Sequence, residues 1–147
     1  LLKITHQTSE NNIEFLNNFY DTNHIENKIF NFDQNLTNLF SQADLCITRA
    51  GASTLAELSV MNIPFVAVPL SSAKDNHQFE NANFYKNKDC CWIINQQLFE
   101  EKIEELLIDI IQNKTDFLDK KENLKKLNYQ NTWNNVNQKI LESINEN

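Results

Sequence analysis

The chain has 147 residues, a formal net charge of −7 and a pI near 4.9, which predicts one domain over residues 1–147 and argues against a nucleic-acid-binding protein. Its 3 cysteines include an adjacent pair, and this odd count does not indicate a disulfide framework, so a reducing, cytoplasmic environment is expected. No apolar run approaches the roughly 20 residues of a membrane-spanning helix.

Hydrophobic periodicity predicts strands and helices in alternation. The predicted strands cover residues 1–5, 28–32, 45–48, 65–69 and 90–94. The predicted helices cover residues 9–20, 33–42, 52–62, 77–88, 97–113, 115–128 and 132–145. Asp33 is the predicted N-cap of the second helix. This alternation predicts an α/β fold, in which helices cover both faces of a parallel sheet and a helical tail follows.

Three predictions concern packing. The first helix should bury Ile13, Leu16, Phe19 and Tyr20, and the helix at 97–113 should bury Ile103, Leu106, Leu107, Ile110 and Ile111. Cys46 should be a buried small hydrophobe in its strand. The lysines of the next helix lie among acidic residues and predict a solvated face rather than a basic patch; they are Lys120, Lys121, Lys125 and Lys126.

Polar residues follow the ends of the predicted strands. They are His6 and Gln7 after the first strand, residues 49–54 after the third and residues 71–78 after the fourth. Because the carboxyl ends of parallel strands share one edge of a sheet, we expect these groups to converge on one crevice. Open α/β sheets bind their ligands in such a crevice.

Gly51 is the only glycine of the chain and stands between a predicted strand and a predicted helix. A strand, a tight turn and a helix start can bind phosphate through backbone N–H groups, here those of Ala52, Ser53 and Thr54. The alternative is a simple turn in which Ser53 or Thr54 caps the helix.

Glu57 and Arg49 flank this turn. Glu57 follows Ser53 by one helical turn, so its carboxylate could accept hydrogen bonds from a ribose diol, or it could complete a capping box. Arg49, the only arginine, could pair with phosphate or structurally with Asp44 or Glu57.

The segment around residue 78 is rich in polar side chains. Gln78 and Asn81 are three residues apart on a predicted helix, and their amides offer the donors and acceptors that suit a sugar. His77 could act as a base, or it could be a solvated or capping residue. His6 and Gln7 could line the crevice or satisfy loop backbone. The spacing of these residues does not form a Ser-His-Asp constellation or a metal-ligand set.

Two motifs resemble a known family. The segments TRAGASTLAELSVMNIPFVAVPL and KDNHQFENA are similar to the donor-binding half of the MurG family, which transfers N-acetylglucosamine from UDP to a lipid-linked muramoylpentapeptide and has the GT-B fold. The resemblance extends from about Ile4 to Asn95. It departs at Ala50, where many members have serine, and at His77, where the family often has glutamine.

The resemblance implies roles for matching positions. Residues 51–54 would lie by the donor diphosphate and sugar, and Glu57 would bind the ribose hydroxyls. Gln78 and Asn81 would contact the sugar hydroxyls, and the uracil would sit near residues 32–34, which include Asp33. UDP-N-acetylglucosamine is the implied partner, and no cofactor or metal is implied.

The family's donor half begins with a further strand and a glycine-rich loop, and the resemblance therefore implies an N-terminally truncated domain. The acceptor-binding half, with the catalytic base and the surface that contacts the cytoplasmic side of the inner membrane, would also lie outside this sequence. We therefore expect a fragment or a split-gene subunit that is inactive alone. Two alternatives are a stand-alone UDP-sugar-binding subunit with a separate membrane acceptor subunit, and a UDP-sugar epimerase, which would need further acid and base residues.

Overall fold

The computed structural model describes residues 2–71 and 76–130. The predicted helix at 132–145 and two residues of the second motif, Lys74 and Asp75, lie outside these ranges. The chain forms two compact units, Leu1–Gln42 and Ala43–Asn147. The single domain predicted over residues 1–147 stays a prediction.

The first unit is built around a pair of parallel strands. Strand β1 (Lys3–Gln7) pairs with β2 (Glu26–Phe30), so that Lys3 lies opposite Glu26 and Gln7 opposite Phe30. The connection between them is helix α1 (Ile13–Thr22), which follows a 3-10 turn at Glu10–Asn12. Helix α2 (Leu36–Phe40) follows β2. This βαβ arrangement confirms the parallel pairing predicted for this part of the chain.

Two predictions for the first unit are wrong. Phe19 was expected on the packed face of α1, yet its side chain is 51% exposed, whereas Ile13, Leu16 and Tyr20 are half-buried. Asp33 is not the N-cap of α2, because that helix begins after Asn35. Asp33 Oδ1 instead accepts a hydrogen bond from the Asn35 backbone N–H at 2.8 Å, an Asx turn that delays the helix by two residues.

The second unit contains a parallel sheet in the order β3-β4-β5, formed by Cys46–Thr48, Phe65–Ala67 and Cys91–Ile93. The described part of this unit also contains helices α3 (Ala52–Val60), α4 (His77–Lys86), α5 (Phe99–Gln112) and α6 (Lys114–Gln130). A 3-10 turn at Gln96–Leu98 precedes α5. Every residue of β4 is buried, as expected for a central parallel strand.

Helices pack on both faces of this sheet. On one face, Val66, Trp92 and Ile94 form a cluster with Ile110 of α5. On the other face, the ring of Phe65 contacts that of Tyr85 on α4, with 5.4 Å between ring centroids. Neighbouring strand residues point to opposite faces, which explains the two environments of Phe65 and Val66. The predicted α/β architecture with helices on both faces is confirmed here.

Two side chains of the second unit depart from the predicted packing. Ile111 is 73% exposed, because α5 directs Ile103, Leu106 and Ile110 toward the core and leaves Ile111 outside that stripe. Lys120 was expected on a solvated face, yet it is only 2% exposed and its ammonium group contacts Asp89 and Asp116. The prediction failed because acidic and basic residues are mixed along α6, a pattern that is typical of an exposed helix face.

The cysteines have the environment expected of structural thiols. Cys90 and Cys91 are buried, whereas Cys46 is half-buried rather than fully enclosed. Burial raises the pKa of Cys46 to about 11 and that of Cys91 to about 12. These thiols therefore stay protonated near neutral pH and are poor nucleophiles.

Candidate functional site

The carboxyl ends of β3, β4 and β5 are tied together by one side chain. Arg49 follows β3, and its Nη1 donates to the Val68 carbonyl oxygen at 3.4 Å and to Gln96 Oε1 at 3.1 Å. Val68 follows β4, and Gln96 follows β5. Arg49 therefore links the loops after β4 and β5 by hydrogen bonds. It does not pair with Asp44 or Glu57, the two structural partners considered from the sequence.

Gly51 is the N-cap of α3. Its φ of −68° and ψ of 135° are extended, and its carbonyl oxygen accepts the first helical hydrogen bond from the Leu55 N–H at 3.0 Å. The cap makes no side-chain hydrogen bond, so neither Ser53 nor Thr54 caps the helix as the alternative interpretation expected. The first N–H groups of a helix have no partner within the helix itself, and a ligand can therefore use them.

Neither the backbone nor the packing requires glycine at position 51. Among the described residues, a Cβ atom built there meets only Thr54 Oγ1, at 4.0 Å, which is ordinary contact. The left-handed backbone positions of the described chain are instead occupied by other residues, namely His24, Asn62, Asn76 and Asp89. The only glycine thus stands where the protein itself would accept alanine, which favours a role in close approach by a ligand.

Glu57 lies on the exposed side of α3. A capping box would require it three residues after the N-cap, whereas it is six residues after Gly51, so that alternative is wrong. Within the described ranges its carboxylate has no hydrogen bond or ion pair. A carboxylate without a partner in these ranges therefore lies in the second turn of α3.

Gln78 and Asn81 both lie on α4 and are both half-buried. Gln78 Oε1 accepts a hydrogen bond from the Leu70 backbone N–H at 2.9 Å. Asn81 Nδ2 donates to the Ala50 carbonyl oxygen at 3.1 Å. Each side-chain amide thus uses one of its two polar atoms to hydrogen-bond the backbone of a loop at the sheet edge. Among the described residues, the Nε2 group of Gln78 and the Oδ1 atom of Asn81 have no protein partner.

Of the three loops expected to converge, the structure brings the loops after β3 and β4 to the same helix of the second unit. The loops after β3 and β4 both meet α4 there, through Asn81 and Gln78. His77 is exposed at the first position of α4.

Three other candidates belong to the first unit. His6 Nδ1 contacts the Tyr20 hydroxyl at 3.0 Å, and Gln7 Nε2 donates to the Asn31 carbonyl oxygen at 3.1 Å. The contact of Gln7 matches the alternative in which it satisfies loop backbone. Asp33 follows β2 in the same unit and lies 3.6 Å from Lys28 Nζ. Their convergence with Gly51 stays a prediction.

A cavity of about 430 Å³ opens at the same edge of the three-stranded sheet. It is lined by residues from β3, the ends of β4 and β5, and the start of α5: Ile47, Thr48, Arg49, Val68, Gln96, Phe99 and Glu100. The sequence interpretation missed Gln96, Phe99 and Glu100. Their position in the sequence could have indicated them, because Gln96 follows the fifth strand just as Arg49 follows the third.

Comparison with known proteins assigns the family. Residues 1–138 match the model of the glycosyltransferase family 28 C-terminal domain. The chain belongs to this family. A glycosyltransferase family 28 domain accounts for the parallel sheets with helices and for both sequence motifs.

Curated relatives are similar along much of the chain. The chain is 50% identical over 147 residues, 99% of its length and 41% of the relative's, to the UDP-N-acetylglucosamine--N-acetylmuramyl-(pentapeptide) pyrophosphoryl-undecaprenol N-acetylglucosamine transferase of Pelagibacter ubique. The protein of the same name from Rickettsia bellii is 35% identical over 76% of this chain and 32% of its own length. The chain thus spans less than half the length of these relatives.

Solved structures agree with this assignment. The chain matches MurG of Acinetobacter baumannii with a TM-score of 0.74 and 26% identity, over 85% of this chain and 37% of that one. It also matches the spinosyn forosaminyltransferase SpnP with a TM-score of 0.58 and 10% identity, over 97% of this chain and 43% of that one, which shows a shared fold only. The family 28 domain therefore has the Rossmann-like GT-B architecture expected from the resemblance.

Two further observations bound the chemistry of the described residues. Across residues 2–71 and 76–130, His, Cys, Asp and Glu side chains form no group of three or more that could hold a metal ion. None of the helices in those ranges combines the length and apolar character needed to cross a membrane.

Proposed function

We propose that this chain is the UDP-N-acetylglucosamine-binding part of a MurG-type glycosyltransferase. The whole enzyme would transfer N-acetylglucosamine from UDP to lipid I, the lipid-linked muramoylpentapeptide acceptor, and make lipid II for peptidoglycan. The observation that carries this proposal is Gly51, the only glycine, placed at a helix N-terminus where the protein does not need it. The relatives named for this reaction add independent support.

The diphosphate would lie against the first turn of α3. The N–H groups of Ala52, Ser53 and Thr54 are the first of the helix, and the cap leaves them without a side-chain partner. The helix dipole stabilises an anion there by about 0.3–1 kcal/mol, and by more in a partly buried site. The same N–H groups would stabilise charge that develops on the leaving UDP during transfer.

The remaining contacts would distinguish nucleoside from sugar. Glu57 would accept hydrogen bonds from the ribose hydroxyls, since its exposed carboxylate has no partner among residues 2–71 and 76–130. Gln78 Nε2 and Asn81 Oδ1 would face the sugar hydroxyls, because their other amide atoms already hold loop backbone. Arg49 and His77 would be further contacts of the donor within this unit.

Catalysis would require parts of the whole enzyme beyond these residues. The catalytic base, the acceptor site and the membrane-contacting surface would be supplied by the acceptor-binding half of a MurG-type protein. We therefore place the complete enzyme at the cytoplasmic face of the inner membrane as a peripheral protein. No cofactor or metal is proposed, since the N–H groups of α3 would stabilise the diphosphate of UDP.

Titration calorimetry of the chain with UDP-N-acetylglucosamine tests the donor site. We expect Glu57→Gln to weaken binding by about 1–3 kcal/mol, the scale of a hydrogen bond to a charged group, or roughly 5- to 150-fold. Glu104→Gln, an exposed carboxylate on α5, is the matched control and should bind like the wild type. Equal affinity of Glu57→Gln and the wild type would contradict the ribose contact.

A turnover assay separates the proposed function from its alternatives. The chain alone should not convert lipid I to lipid II, whereas addition of the acceptor-binding half of a MurG-type enzyme should restore turnover. Turnover by the chain alone would contradict the proposal that the acceptor-binding half supplies the catalytic base and the acceptor site. Restoration only by a separate membrane protein would instead favour a stand-alone UDP-sugar-binding subunit.

A further inference from the structure

Helix α4 holds two loops of the candidate site through a single pair of amides. Asn81 reaches the loop after β3 at the Ala50 carbonyl oxygen, and Gln78 reaches the loop after β4 at the Leu70 N–H. The two residues are one helical turn apart and therefore share a face of α4. The resemblance implied that both side chains contact the sugar, but a sugar contact does not account for their hydrogen bonds with loop backbone.

The contact of Asn81 lies directly before the candidate phosphate site. Ala50 is fully buried, and the peptide that its carbonyl belongs to also carries the Gly51 N–H. In a planar trans peptide the C=O and the N–H point in opposite directions. A hydrogen bond that fixes the Ala50 carbonyl therefore also fixes the Gly51 N–H, and with it the backbone that enters α3.

We propose that Asn81 is a positioning residue for phosphate binding. Its Nδ2 group holds the Ala50–Gly51 peptide, so that the N–H groups at the start of α3 are oriented before the diphosphate arrives. This inference rests on the proposed function of the site. It differs from a sugar contact in one measurable respect, because it affects UDP, which carries no sugar beyond its ribose.

Gln78 provides the internal comparison. Its Oε1 atom accepts from Leu70, in the loop after β4, so its loss should leave the Ala50–Gly51 peptide in place. Gln78→Glu keeps that acceptor and replaces the Nε2 donor that would face the sugar, while its added negative charge acts on both ligands alike. Positioning by Asn81 predicts weaker binding of UDP itself, whereas sugar contact by Gln78 predicts an effect mainly on UDP-N-acetylglucosamine.

The experiment measures the affinities of the complete chain for UDP and for UDP-N-acetylglucosamine. We expect Asn81→Ala to weaken UDP binding about three- to tenfold, the effect of one lost neutral hydrogen bond, and to weaken UDP-N-acetylglucosamine binding at least as much. Gln78→Glu should weaken binding of UDP-N-acetylglucosamine more than that of UDP. Asn87→Ala, at the exposed C-terminal end of the same helix, is the control and should change neither affinity.

The outcomes separate the two proposals. Unchanged UDP affinity in Asn81→Ala, with weakened UDP-N-acetylglucosamine binding, would overturn positioning and leave Asn81 as a sugar contact. Failure of the wild-type chain to bind UDP would overturn the proposed function itself. Asn81→Ser keeps a polar group in the half-buried position, and far-ultraviolet circular dichroism of both variants shows whether they are folded. A folded Asn81→Ser that binds UDP as the wild type does would also overturn the inference.

Discussion

Two polar clusters of the second unit, one around Lys120 and one around Gly51, differ in whether their side chains have protein partners. Around Lys120, the ammonium Nζ contacts Asp89 Oδ1 at 2.8 Å and Asp116 Oδ1 at 2.9 Å, and it lies 4.8 Å from the centroid of the Trp92 ring. The Trp92 indole N–H in turn donates to Asp116 Oδ2 at 3.0 Å. Around Gly51, by contrast, the Glu57 carboxylate, Gln78 Nε2 and Asn81 Oδ1 have no protein partner within the described ranges.

The difference distinguishes polar groups that stabilise the fold from polar groups that are available to a ligand. Lys120 is buried, and burial alone would lower its pKa, but its hydrogen bonds with Asp89 and Asp116 outweigh burial and raise that pKa. The Lys120 ammonium group links Asp116 of α6 to Asp89, which lies just before β5, and so stabilises the packing of α6 against the start of that strand. Polar groups that stay accessible to water contribute little to stability, and they can exchange their hydrogen bonds with water for hydrogen bonds with a ligand.

Lys120→Met should have the largest effect on stability. It leaves Asp116 without its cation and removes the contact with the Trp92 ring. Breaking a buried ion pair costs about 3–5 kcal/mol, and since more than half of the Asp89 side chain is exposed we expect a loss of about 2–3 kcal/mol. Urea unfolding measures this loss. Lys126→Met, at an exposed position of α6, should change the free energy of unfolding by less than about 0.5 kcal/mol.

The pH dependence of that loss follows from the raised pKa of Lys120. The stabilisation is fully present below the ordinary lysine pKa of 10.5 and is lost as the pH rises through the higher pKa of the folded state. The stability difference between wild type and Lys120→Met should therefore be constant from about pH 6 to 9 and shrink above about pH 10.5. A difference that falls between pH 6 and 9 would contradict the assignment.

Asn128→Ala should have an intermediate effect. Asn128 Nδ2 donates to the Ser59 carbonyl oxygen and to Asn62 Oδ1, which holds α6 against the C-terminal end of α3. Loss of these contacts leaves a buried serine without part of its hydrogen bonding, and we expect a cost of about 1–2 kcal/mol. The midpoint of urea unfolding measures it, and UDP affinity should not change, because the start of α3 is not touched. A large fall in UDP affinity would mean that the two ends of α3 are coupled.

Arg49→Lys should have a smaller effect on stability. Lysine keeps the positive charge but does not reproduce the hydrogen bonds of Nη1 with Val68 and Gln96. Because Arg49 is exposed, we expect a loss of no more than about 1 kcal/mol in the free energy of unfolding. A loss well above this value would show that Arg49 belongs with the stabilising cluster rather than with the ligand site.

Much of this organisation could be predicted from the sequence because it depends on local patterns. The alternation of apolar strands and amphipathic helices indicated parallel pairing, and the position of Gly51 between β3 and α3 indicated the helix N-terminus. The partners of single polar side chains could not be predicted in this way. Asn81 contacts Ala50, which is 31 residues earlier, and Lys120 contacts Asp89 at the same separation, so only the tertiary fold decides whether each side chain is exposed or engaged.

Boundaries and faces were less predictable for a related reason. Asp33 was a good capping residue by type, but a hydrogen bond to Asn35 placed it in a turn before the helix. Ile111 and Phe19 fit the apolar periodicity of their helices, yet their exposed fractions are 73% and 51%. Which part of an apolar stripe is buried depends on the packing partners, and the pattern of a single helix does not contain that information.

Gly51→Ala tests the central claim most directly, namely that the only glycine serves a ligand rather than the fold. Its backbone conformation accepts alanine, which favours the folded state by about 0.4–1 kcal/mol, while alanine is a poorer N-cap than glycine, so the net change should stay within about 1 kcal/mol. A methyl group at the start of α3 should nevertheless obstruct the diphosphate. We predict that calorimetry finds UDP binding weakened at least about tenfold with unfolding unchanged, whereas wild-type UDP affinity in Gly51→Ala would contradict the claim.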